Sequence, residues 1–138
     1  LSGIVVEKLK YRAMLFLKEA KTVDDPDLAI FFAEQAMQLY IKAVHYELFG
    51  DIIRGHRLRE LLSILIRELR RHGFSNIADK LVEFVNNYRR IFILAEEAYT
   101  TSRYGEISYS FDEARDVIDV ATKLIGILEE VVKNVKLG

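Results

Sequence analysis

Whatever chemistry this sequence can do rests on a few side chains in two connections. Thr100-Thr101-Ser102-Arg103-Tyr104-Gly105 brings hydroxyls, a guanidinium and an aromatic ring together just ahead of a helix start. Those groups suit a phosphate, a base or another anion, because Arg offers a bidentate fork, Tyr a stacking face and the helix start free amides. The alternative for Arg103 is structural, an ion pair with Glu97 or Asp112 that pins the loop. The second connection carries Arg54-Gly55-His56-Arg57, with Arg59 close behind. His56 is the most suggestive of the three histidines, against the plainer reading of a hydrogen bond that stabilises a turn. His72 falls in the last turn of a helix, where the dipole favours a cation, and His45 lies on a polar helix stripe that calls for ordinary hydrogen bonding.

Much machinery is excluded by inventory. The sequence has no glycine-rich phosphate loop, no His-Glu-x-x-His helix, no nucleophile elbow and no acidic triplet spaced for two metals. Asp112, Glu113, Asp116 and Asp119 complement the dipole of a helix start, and Arg67, Arg70 and Arg71 read as a solvated helix end. No catalytic residue, no metal and no cofactor is assigned. The absence of cysteine removes disulfides and thiolate chemistry, so cytoplasm is the expected location. The longest apolar runs are broken by charge, which predicts no membrane span, and no signal peptide is seen. Abundant Ile, Arg, Lys and Glu hint at a thermophilic source.

These side chains need a scaffold, and the hydrophobic period supplies it. With 51% hydrophobic residues in 138, the sequence predicts one all-α domain, residues 1–138, a bundle of about five helices of the up-and-down type. Helix 1 is expected from Ile4 to Ala20. Asp25, Pro26 and Asp27 signal the start of helix 2, which Gly50 stops. Helix 3 runs from Leu58 to His72, with Gly73 as its stop. Ser75 is expected to cap helix 4, which continues to about Tyr99. Ser110 and Glu113 have the spacing of a capping box that opens helix 5.

Helix 2 is unlike the others. Apolar residues surround most of it, leaving a narrow polar stripe of Glu34, Gln35, Gln38, Lys42 and His45. Such a helix is central, and the stripe is expected to face a groove or a second subunit. Charge is also uneven: residues 51–95 hold 9 basic and 5 acidic side chains, residues 96–138 hold 5 and 9. Together these features predict a homodimer. Gln35, Lys42, His56, Arg103 and Tyr104 are expected to converge on one groove, with Lys42 and Arg103 forming a positive pocket for a phosphate.

Several segments in succession resemble the HEPN family of small prokaryotic helical domains. Helix 2 carries Phe32-Ala33-Glu34-Gln35-Ala36 and Lys42-Ala43, the connection carries Gly55-His56-Arg57-Leu58 followed by Leu61-Leu62, and the late loop carries Ser102-Arg103-Tyr104. Their order and spacing are similar to the family's from about residue 8 to 131. The chain departs from it at Gln38, where many members have Glu, and at Gly105, where Pro is usual. The resemblance implies a nucleotide- or partner-binding module that acts with a separately encoded minimal nucleotidyltransferase. Its alternatives are a metal-independent RNase, as in a toxin of a toxin–antitoxin pair, with RNA as substrate, and an assembly domain without ligand. Family RNases share an Arg followed after four to six residues by His. At that spacing from Arg103 stand Ser108, Tyr109 and Ser110.

Overall fold

The computed structural model describes residues 2–101, 104–105 and 107–138. They form an all-α bundle of α1 (Ser2–Thr22), α2 (Pro26–Phe49), α3 (Leu58–Arg71), α4 (Ser75–Asn87), α5 (Arg89–Thr101) and α6 (Phe111–Leu137). No helix among the described residues is long and apolar enough to cross a membrane.

The bounds of α2 follow from local signals. Asp25 accepts from the amides of Asp27 and Leu28, Pro26 takes the first turn, and Gly50 closes the helix at φ +84° with its amide on the Tyr46 carbonyl. The helix is central, as its composition implies, with α1, α3, α5 and α6 all packed on it. Neighbours within the chain therefore cover both its apolar circumference and much of its polar stripe. Glu34, Gln38 and His45 are buried, which replaces the expected open groove or subunit contact along that stripe.

The most extensive helix pairing joins α1 to α2. Ala13 and Ala20 on α1 and Ala29, Ala33, Ala36 and Ala43 on α2 are all buried. Short side chains on both helices let the axes approach closely, and Leu17, Ile30 and Met37 fill the remaining space. At the rim, Lys10 Nζ lies 2.7 Å from Glu47 and 2.9 Å from Glu129, while Lys136 meets Glu47 at 2.8 Å. Burial opposes the Lys10 charge, but the two carboxylates outweigh it and hold its pKa above the ordinary value.

Two expectations are corrected along α3 to α5. Ser75 is the first residue of α4 rather than its cap, because Phe74 occupies that position. At the end of α3, Gly73 adopts φ +87°, its amide bonds the Arg70 carbonyl, and the Phe74 amide bonds the Leu69 carbonyl. This pattern satisfies the last carbonyls of α3 and commits Phe74 to the turn. The expected fourth helix is in fact two, so the bundle has six helices. The break falls at Tyr88, at φ −114° and ψ 22°, where the weak helix formers Asn86 and Asn87 precede a ring held 4.8 Å from Phe84. The Tyr88 hydroxyl also accepts from Lys123 on α6. With the axis broken there, α5 is free to take its own direction onto α2.

Candidate functional site

One side of α2 gathers polar and aromatic groups from three elements. Phe31, Glu34, Gln35, Gln38 and Lys42 recur on it at helical spacing. Opposite lie the start of α3 with its preceding connection, and the second half of α5.

Glu34 is the buried centre, with none of its surface exposed. Gln38 Nε2 donates to both its carboxyl oxygens, at 2.9 and 2.7 Å, and Gln35 Nε2 donates at 3.0 Å. Burial pushes the Glu34 carboxyl up from 4.5 to about 7; the Gln38 and Gln35 donors oppose the rise, Glu96 adds to it and Lys42 counters it. The carboxyl therefore changes charge near neutral pH.

Glu96 of α5 takes up the start of α3. Its oxygens accept from Arg59 Nε at 2.9 Å, from Arg59 Nη2 at 3.0 Å and from the Arg59 backbone amide at 3.2 Å. The residue before α3, Arg57, makes no capping bond with its side chain. Glu96 supplies that cap from another helix and holds a guanidinium in a two-pronged pair.

A ladder of rings crosses the same side. His56 stacks on Tyr99 of α5 with centroids 4.8 Å apart and planes 21° apart, and Tyr99 lies parallel to Phe31 of α2 at 6.1 Å and 10°. The ladder continues edge-on to Phe32, which stacks on Phe16 of α1. His56 itself is exposed, and Arg54 and Arg57 beside it are exposed too. Gly55 allows this connection its shape, since φ +112° is a conformation that L side chains rarely adopt.

The five residues singled out from sequence fare differently. Gln35 and Lys42 both act on Glu34, and His56 reaches the same side of α2 through Tyr99, one turn beyond Glu96. Tyr104 is 72% exposed, and its amide closes a turn on the Thr101 carbonyl. No hydrogen bond or ring contact joins Tyr104 to that cluster among the described residues. Arg103 lies outside the described residues. The loop regains α2 at Tyr109, whose amide bonds Asp27 at 2.8 Å while its hydroxyl donates to Glu97 at 2.9 Å. Sequence reading placed Arg59 beside His56 without giving it a role, and missed Glu96, Tyr99 and Phe31 as participants. Of these three only Phe31 carried a signal, standing on the Glu34–Gln35–Gln38 side of the helix.

The other histidines belong elsewhere. His45 is buried with Nδ1 at 2.9 Å from the Asp51 carbonyl, an arrangement that fixes the chain leaving α2. His72 holds its Nδ1 2.9 Å from the Glu68 carbonyl and packs against Phe49. It closes the end of α3 opposite to His56, about 21 Å away along a 14-residue helix. His72 thus cannot join His56 in one site. Among the described residues no three His, Asp or Glu side chains are grouped to hold a metal ion.

Comparison with known families matches the chain over residues 6–131 to the model described as HEPN domain. No curated protein and no solved structure matches.

Proposed function

The chain belongs to the HEPN domain family, and from that premise we propose that it is a nucleotide-binding module acting with a separately encoded minimal nucleotidyltransferase. The observation that carries the reading is the exposed end of the ring ladder: His56 stacked on Tyr99, in a connection where Arg54 and Arg57 are also exposed. A nucleobase extends such a stack, and the neighbouring Arg54 and Arg57 offer two cations to its phosphate. Behind the ledge, Arg59 and Glu96 fix the start of α3, so the stacking face is held by rigid elements rather than by the connection alone.

Nucleotide binding here requires no bond to break. No second imidazole shares the ledge among the described residues to pass a proton, and the positions spaced from Arg103 as the RNase pattern requires hold Ser and Tyr. Arg103 and Tyr104 enter this reading as further ligand contacts from the neighbouring loop.

Titration calorimetry of the purified chain with nucleoside mono-, di- and triphosphates and short oligoribonucleotides tests it. Binding of one of them is expected, weakened by about 1–3 kcal/mol in His56→Ala with an unchanged melting temperature. A wild-type chain that binds none of the panel overturns the reading. Cleavage of the oligoribonucleotides in chelator, lost in both Arg103→Ala and His56→Ala, would replace it with the RNase.

A further inference from the structure

The buried carboxyl of Glu34 takes no part in the ring stack, yet the two are built on the same supports. Helix α5 carries Glu96 and, three residues on, Tyr99, while Arg59 stands in the first turn of α3, three residues after His56. Two carboxyls and two cations meet behind the ledge: Glu34 and Lys42 from α2, Glu96 from α5 and Arg59 from α3. Glu96 is committed to Arg59 at 2.9 Å, whereas the Glu34 oxygens are held by the amides of Gln38 and Gln35.

Amide partners leave the carboxyl free to exist in two states. A glutamine that turns over offers its oxygen in place of its nitrogen, so the same pair can hold Glu34 charged or protonated without moving a helix. Burial keeps the carboxyl at about 7, and both states are populated near neutral pH. With Glu34 charged the four groups cancel; with it protonated they leave one positive charge behind the ledge. We propose that the proton on Glu34 sets how tightly the His56 ledge holds an anion, the protonated carboxyl favouring a nucleotide phosphate beside Arg54 and Arg57 and the charged one opposing it.

Arg59 transmits the effect. Its side chain is 34% exposed and that of Glu96 12%, so the guanidinium reaches from the buried acids to solvent. When Glu34 is charged, two carboxylates draw on that cation. Once Glu34 is neutral only Glu96 does, and more of the field of Arg59 is left for a phosphate; out of water such a field is weakly screened. Linkage runs both ways: a bound phosphate draws a proton onto Glu34, and raising the pH through about 7 removes the proton and loosens the phosphate. This inference rests on the nucleotide reading and adds a dependence that the reading alone does not require.

Titrating the wild type and Glu34→Gln with the same nucleoside mono-, di- and triphosphates and oligoribonucleotides across a range of pH tests it, since Gln keeps the shape of the protonated acid. From about pH 5.5 to about pH 8.5 the Kd of the wild type should rise about fivefold to tenfold relative to that of Glu34→Gln. Titration of the phosphate and of His56 is common to both proteins and cancels in the ratio. A second measurement needs no variant: in carbon-13 NMR of the wild type, the midpoint of the Glu34 carboxyl should move upward by about 0.7 to 1 pH unit when the nucleotide is bound. A level ratio with a folded variant, or a midpoint that bound nucleotide leaves in place, overturns the inference while nucleotide binding stands. If no member of the panel binds at any pH, the nucleotide reading fails and this inference falls with it.

Discussion

The two sides of α2 are built on opposite plans. Toward α1 and α6 it presents alanines, aliphatic side chains and the Tyr40 ring with no buried charge, and ion pairs appear only at the rim. Toward α3 and α5 it buries a carboxyl held by two glutamines, beside a second carboxyl held by an arginine. The first side contributes stability by area and close packing, which tolerates no polar group left unpaired. The second spends buried volume on groups that cost free energy unless every partner is in place. A helix organised only for stability would be apolar on both sides, and the difference marks where the fold has been shaped for something else.

Truncating the apolar side should give the largest effect. Leu17→Ala on α1, at a residue 2% exposed against the alanine ridge of α2, is expected to cost about 2–5 kcal/mol in chemical denaturation. A much smaller loss would mean that α1 is only loosely seated, and the contrast between the two sides would fail.

The polar side should show itself through pH. Glu34 is raised to about 7 in the fold from 4.5, so between those values the folded chain keeps a proton that the unfolded chain has released. Stability from this group is therefore full below about 4.5, falls as pH rises to about 7, and is level above that; the span corresponds to about 3 kcal/mol. Subtracting the denaturation profile of Glu34→Gln from that of the wild type isolates it. A difference that is flat from pH 4.5 to 7 would show the carboxyl to be solvated.

Arg59→Ala removes both prongs from Glu96 and leaves that carboxylate beside Glu34. The expected cost is about 1.5–3 kcal/mol, together with a further upward displacement of the Glu34 titration. An unchanged Glu34 titration would separate the two acids and dissolve the cluster.

The smallest effect is a gain. Gly126 lies inside α6, and an added Cβ there meets nothing within 4 Å. Gly126→Ala should therefore stabilise the chain by about 0.5–1 kcal/mol without touching either side of α2.

How much of this was legible in the sequence depends on how far apart the partners stand. The bounds of α2 and the start of α6 were readable because Asp25, Pro26, Gly50 and the Ser110–Glu113 pair act within a few residues of themselves. The break at Tyr88 was not, since no Pro or Gly marks it and its ring is placed by packing against Phe84 and Lys123. The polar stripe on α2 was visible, but its burial was not. What covers it, Arg59 with Glu96 and His56 with Tyr99, joins positions 37 and 43 residues apart, and neither local propensity nor spacing encodes that. For the candidate site, sequence offered residues of the right type, while their company came from the tertiary fold.

The clamp at Tyr109 has a consequence for how this molecule can change. Thr101 Oγ1 and the Tyr109 hydroxyl lie 3.3 Å apart, and the Tyr109 amide is tied to Asp27 at the head of α2. The chain thus leaves and rejoins the bundle at nearly one point. Closing a loop between fixed ends costs only about 0.6 kcal/mol for each doubling of its length. The intervening stretch can accordingly be lengthened, shortened or exchanged without asking the six helices to repack. A lineage, or an engineer, can rewrite what stands there while inheriting the rest of the bundle unaltered.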